Sequence, residues 1–153
     1  MKIAVFSDSH GDVEAMESAI RAERPDMVLH LGDHARDAEA LAALFPGLDV
    51  RYVCGNCDYG SDAPDSLCFS VEDVRLYMAH GHRHSVKYDL LGIANAGHFS
   101  GADLVLYGHT HQSEYRDLGD LTLFNPGSCG MGRRTYGILT AKGGKFQCQI
   151  RDI

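Results

Sequence analysis

The chain has 153 residues, of which 44% are apolar and 23% charged, and its formal net charge is −7. That length suits a single globular domain over residues 1–153, and no apolar stretch approaches the roughly 20 residues that span a bilayer. The acidic balance argues against a nucleic-acid polymer as partner, because phosphate backbones select clustered Lys and Arg; a small phosphate ester fits if a local site is positive.

The N-terminus carries one Lys before a short apolar run, too little for a signal peptide, so a cytoplasmic protein is expected. Lys2–Ser7 reads as a buried strand. Asp12 is placed to cap a helix through Arg24, with Val13, Met16 and Ile20 on one face and Pro25 beyond its end. Asp26–Gly32 is a second strand, Arg36–Phe45 a second helix closed by Pro46 and Gly47, and Val50–Gly55 a third strand. Val74–His80 and Leu104–Gly108 predict two more strands, with a helical segment over Lys87–Phe99 between them. The segments Glu114–Leu118, Leu121–Phe124, Thr135–Thr140 and Lys145–Arg151, separated by turn residues, predict an antiparallel meander.

The residues at the end of each apolar run carry the chemistry. The first run ends in Asp8 and His10, the second in Asp33, the third in Asn56, the fourth in His80 and the fifth in His109 and His111. In α/β sheets ligands bind outside the carboxyl ends of the strands. Seven oxygen and imidazole donors delivered there predict a metal site. Such donors suit borderline or hard divalent ions: manganese first, with nickel, iron or zinc as alternatives. Two ions roughly 3.5–4 Å apart can share a carboxylate and a hydroxide and clamp a phosphoryl group. Two such ions, less the charges of Asp8, Asp33 and the hydroxide, leave about +1, enough to attract an anion to an acidic protein.

The blocks Asp8-x-His10, Gly32-Asp33, Gly55-Asn56-x-Asp58, His80-Gly81-His82 and Gly108-His109-Thr110-His111 resemble, in order, the calcineurin-like metallophosphoesterase superfamily. The short length and the segment Asn125–Ser128 are similar to its small bacterial and archaeal phosphodiesterase branch. The resemblance implies a four-layer α/β/β/α sandwich, with two mixed sheets flanked by helices. It also implies that Asp8, His10 and His111 bind one metal, Asn56, His80 and His109 the other, and that Asp33 bridges them. The implied activity is hydrolysis of small phosphodiesters, aryl or nucleotide-like, by the bridging hydroxide. A phosphomonoesterase with the same mechanism is the nearest alternative, and a non-catalytic binding scaffold of this fold, like the retromer subunit, a further one. A homo-oligomer is compatible with either. Two positions depart from the family pattern: Cys57 stands where many members carry the His that protonates the leaving group, and Gly132 precedes Arg133 where the branch often has Pro.

Other residues carry two readings each. His30, inside an apolar strand, suits a hydrogen-bonded core histidine, and His98 a helix end. His34 and Asp37 are either supports behind the ligands or a solvated helix start. His82 either contacts phosphate or only shares the loop, and His84 has no assigned role. Asn125–Ser128 is a plain turn or a nest of N–H groups for phosphate. Arg133 either forks onto a phosphate oxygen or forms a solvated pair with Arg134. The odd number and irregular spacing of the five cysteines argue against a disulfide framework. No helical pattern comes after Cys54-x-x-Cys57, which disfavours a redox motif; Cys54 is expected buried in its strand and Cys57 near the site.

Overall fold

Alternation along the first strand splits the interior in two. In β1 (Lys2–Phe6), Ile3 and Val5 face one way and Ala4 and Phe6 the other, and all four are fully buried. A strand covered on both faces needs a layer on each side. The computed structural model, which describes residues 1–153, supplies both.

Parallel pairing joins β1 to β2 (Met27–His30) and β2 to β3 (Asp49–Tyr52), with α1 (Val13–Glu23) and α2 (Ala35–Leu44) as crossovers. Asp12 Oδ1 accepts the Ala15 N–H at 3.1 Å, the expected cap of α1. The second sheet contains β4 (Ser66–Val71), β5 (Val74–Ala79), β6 (Leu104–Leu106), β7 (Ser113–Asp117) and β8 (Thr122–Pro126), with α3 (Leu91–Phe99) between β5 and β6. The last hairpin, β9 (Thr135–Lys142) and β10 (Lys145–Asp152), returns to the first sheet. The two sheets run β10-β9-β1-β2-β3 and β4-β5-β6-β8-β7, and both mix parallel and antiparallel pairs.

Three apolar clusters define the layers. Ile3, Val5, Leu29 and Leu139 meet Leu76, Met78, Leu104 and Phe124 between the sheets. Ala4, Phe6, Val28 and Ile138 lie under Met16, Ile20 and Leu41 of α1 and α2. Tyr77, Val105 and Leu123 lie under Ile93 and Ala94 of α3. The result is the four-layer α/β/β/α sandwich. No helix is long and apolar enough to cross a membrane.

Two features differ from the sequence-based expectation. The closing meander does not form: β7 and β8 make a hairpin with β8 parallel to β6, while β9 pairs antiparallel with β1. All of β8 and the first five residues of β9 are buried, which an outer meander strand cannot provide. The unanticipated strand is β4, an edge on which Leu67, Phe69 and Val71 face the core and alternate with Ser66, Cys68 and Ser70.

Register matters for function. Phe6, His30 and Tyr52 lie side by side, as do Met78 and Leu106, so the parallel strands of each sheet end level.

Leu29→Ala, between the sheets, should cost about 2–5 kcal/mol of stability, whereas Leu44→Ala on the outside of α2 should stay within about 0.5 kcal/mol. Denaturant midpoints of the two variants check the contrast.

Candidate metal centre

Beyond the level strand ends the chain turns sharply, and the turns fall on the ligand candidates. Asp8, His10, Asp33, His109 and His111 have φ of 54°, 46°, 56°, 68° and 60°, in the left-handed region that L-residues avoid. Such a conformation costs about 1–3 kcal/mol per residue and persists only where surrounding contacts enforce it.

Those contacts can be named. The Asp8 N–H donates to Gly32 O at 3.0 Å, and Ser128 Oγ donates to Asp8 O at 2.8 Å. Asp8 Oδ2 accepts from Ser7 Oγ at 2.5 Å and from the His109 N–H at 3.1 Å, joining the first ligand loop to the last. The Cys57 N–H donates to Asp33 Oδ1 at 2.9 Å. Close approach explains two of the glycines. A Cβ on Gly55 would lie 2.2 Å from Asp33 Oδ1, and one on Gly108 1.9 Å from Ser7 Oγ.

The donor atoms form two adjoining groups: Asp8, His10 and His111, then Asp33, His80 and His109. His80 Nδ1 lies 2.8 Å from Leu31 O. A carbonyl only accepts, so Nδ1 carries the hydrogen and Nε2 presents a lone pair. Around that lone pair sit Asn56 Oδ1 at 3.1 Å, His109 Nδ1 at 3.2 Å and Asp33 Oδ1 at 3.5 Å. In the other group His111 Nε2 lies 3.4 Å from His10 Nε2 and 3.1 Å from Asp8 Oδ1. The latter approach is not aligned for donation: Asp8 Oδ1 is buried with no hydrogen-bond partner. An orphaned buried carboxylate oxygen beside converging lone pairs is costly by itself and fits a cation.

Burial pushes His109 down to about 4, which keeps its imidazole in the neutral form a metal requires. For Asp33, burial alone would push the carboxyl up. His80 and the Cys57 N–H outweigh it and hold the group below the usual carboxylate range.

Behind the ligands runs a network that the sequence indicated only in part. His30 is fully buried; its Nδ1 accepts the Gly32 N–H at 3.2 Å, so Nε2–H is the donor to Ser9 Oγ at 2.9 Å. Ser9 Oγ in turn donates to Asp37 Oδ2 at 2.6 Å, which also accepts the Gly11 N–H at 2.8 Å. Asp37 is therefore a buried support for the Asp8–His10 turn, not a solvated helix start. Asp58 accepts the N–H groups of His34, Ala35 and Gly55 at 2.9, 2.8 and 2.7 Å, capping α2 and tying the Asp33 and Asn56 loops together. Its place in the Gly55–Asp58 block was the available signal, as the Asn125–Ser128 segment was for Ser128; Ser9 had none, because its partners are distant in the chain.

Several expectations need correction. The Asn125–Ser128 segment is no phosphate nest. Its Gly127 N–H bonds Asn125 Oδ1, the Cys129 N–H bonds Ser7 O, and Asn125 Nδ2 reaches Gly108 O and Thr110 Oγ1, so it braces two ligand loops. The exposed Arg133 forks onto Asp152 at 2.9 and 3.2 Å instead of turning to the centre, and Arg134 pairs with Asp12. Cys54 is half-buried, just past β3, with Sγ 3.3 Å from Asp65. All five thiols are free. Cys57 is exposed beside Asn56, while the His82 ring lies 5.4 Å from His80 and 6.1 Å from His109. His84 reaches the Tyr77 hydroxyl at 3.3 Å, and His98 pairs with Asp120 at 3.3 Å near the end of α3.

Paired Asp/His clusters at the strand ends of a two-sheet sandwich define a metallohydrolase-type centre. The family model for the calcineurin-like phosphoesterase superfamily domain matches residues 1–144, and the chain belongs to that superfamily. A probable metallophosphoesterase of Methanothermobacter thermautotrophicus is 34% identical over 159 residues, covering 98% of this chain and 91% of that one. A phosphodiesterase of Methanocaldococcus jannaschii is 26% identical over 148 residues, covering 84% of each. The solved structure of a predicted phosphoesterase from Streptococcus pneumoniae TIGR4 superposes with a TM-score of 0.81 at 26% identity, covering 99% of this chain and 88% of that one.

The buried network has a pH signature. Burial pushes His30 down to about 4, whereas an unfolded imidazole titrates near about 6.5. Between these values the unfolded chain binds one proton more, so stability rises with pH across the window and is lost as pH falls from 6.5 towards 4. His30→Leu should lower the denaturant midpoint at pH 7 yet flatten its slope over that window, measured in chelator.

Proposed function

We propose that the protein is a phosphodiesterase acting on small phosphodiesters, aryl or nucleotide-like, with two divalent cations, manganese preferred. The observation that carries this reading is the Asp8 carboxylate: wholly buried, with Oδ1 free of any donor and placed 3.1 Å from His111 Nε2 and 3.9 Å from His80 Nε2. Asp8, His10 and His111 would hold one cation, Asn56, His80 and His109 the other, with Asp33 shared. Bound there, the cations supply Lewis acidity towards phosphoryl oxygens and acidify a water. The diester preference draws support from the phosphodiesterase relative.

The chain itself supplies orientation. The Leu31 carbonyl fixes the His80 tautomer, and the Cys57 N–H aims Asp33 Oδ1. His82 stands beside His80 and His109 to donate to a phosphoryl oxygen. Burial pushes its pKa down, followed by the charge of Arg83, which disfavours the protonated ring. Cys57 is no better an acid, because partial desolvation of this largely exposed thiol, followed by the Asp33 carboxylate, pushes it up. No side chain identified at the site is therefore a ready proton donor for the leaving oxygen. A positioned acid typically contributes about 10²–10⁴-fold.

Chelation should abolish hydrolysis of bis(4-nitrophenyl) phosphate, and Mn²⁺ should restore it. Without excess metal, Asp33→Ala should lose both ions while Asp8→Ala loses mainly one; elemental analysis decides, and full occupancy in Asp33→Ala contradicts the shared carboxylate.

Rates should also fall steeply as the leaving-group pKa rises from nitrophenol towards alcohols, with Cys57→Ala within about threefold of wild type on nitrophenyl esters. A flat wild-type series that steepens in Cys57→Ala or His82→Ala would identify that residue as the acid.

A further inference from the structure

Beside the centre opens a cleft of about 710 Å³, a volume within the usual range for small-molecule sites. It shares Cys57 and His34 with the ligand loops: the Cys57 N–H holds Asp33, and the His34 ring lies 5.3 Å from that of His10. The first turns of α2, the end of β3 and the loop after Asn56 form its walls.

Most of its polar groups are already matched. Arg51 is bound to Asp49 and lies 4.5 Å over the Phe69 ring, Glu39 accepts from the Tyr52 hydroxyl at 3.2 Å, and Asp58 is saturated by three N–H groups. Tyr59, Arg36 and the exposed carboxylate of Asp62 are without a protein partner, and the first two are the groups that can take an anionic aryl ligand. Tyr59 is 94% exposed, the most exposed tyrosine of the chain, and has no aromatic partner. Arg36 is exposed and the one arginine of the cleft without a protein acceptor. An aromatic face left open to water at the mouth of a polar cleft suits a planar ligand, and an unmatched guanidinium suits an anion.

We propose that this cleft binds one organic arm of the substrate, an aromatic group carrying an anionic substituent, with the ring on Tyr59 and the anion at Arg36. Resting on the phosphoesterase reading, the assignment makes Tyr59 and Arg36 specificity-determining residues that touch the ester arm and not the reacting phosphorus. A nucleobase-bearing arm with a second phosphate and a carboxyaryl arm share this chemistry.

Equilibrium binding of product-like monoesters to the metal-loaded protein tests it. Methyl, phenyl and 4-carboxyphenyl phosphate serve as probes, followed by calorimetry alongside hydrolysis of bis(4-nitrophenyl) phosphate. Phenyl should bind about tenfold tighter than methyl phosphate, and carboxyphenyl about threefold to fivefold tighter again. Tyr59→Ala should erase the first step while Tyr59→Phe keeps it; Arg36→Ala should erase the second while Arg36→Lys keeps most of it. Equal binding of all three probes, or steps that survive in the alanine variants, overturns the proposal. Affinity steps that track these variants in a protein that hydrolyses no ester would sink the phosphoesterase reading and leave the cleft assignment standing.

Discussion

The structure depends on one constraint: a carboxylate at zero exposure with half of its hydrogen-bonding capacity unmet. Asp8 Oδ2 is held by the Ser7 hydroxyl and the His109 N–H, while Oδ1 has no donor. Burying such an oxygen is unfavourable unless positive charge meets it. The neighbouring lone pairs on His80, Asn56 and Asp33 compound the problem. Folding thus concentrates negative potential where the strands of both sheets end, and a bound cation would offset it.

The surrounding architecture serves that concentration. Level strand ends bring five candidate ligand loops to one edge, with left-handed turns at Asp8, His10, Asp33, His109 and His111. Glycines at 55 and 108 let those loops touch. His30, Ser9 and Asp37 support one turn, Asp58 joins two others, and Asn125 with Ser128 braces Asp8 against the His109 loop. The strain resides at the candidate ligands, and most of the hydrogen bonds that hold it come from residues outside that set.

Much of this was legible in the residues themselves, because period-two and period-3.6 patterns are local. The first three strands and the helices follow these patterns, and the candidate ligands fall where the apolar runs stop. The destination of the last four strands was not legible. Whether Thr135–Leu139 pairs with β8 or with β1 depends on which position covers both of its faces. The edge strand Ser66–Val71 carried its alternation openly, in Leu67, Phe69 and Val71. The sequence leaves two readings each for Arg133 and Asn125–Ser128 because motif position does not fix orientation. Asp152 and the ligand loops, far off in sequence, decide where those groups point.

Anomalous diffraction from crystals grown with Mn²⁺ tests the dinuclear centre most directly. Two peaks are expected, one bonded to Asp8 Oδ1 with His10 and His111, the other to His80, His109 and Asn56, with an Asp33 oxygen reaching both. A single peak, or an Asp8 Oδ1 satisfied by a protein hydrogen bond with no ion beside it, would contradict that assignment.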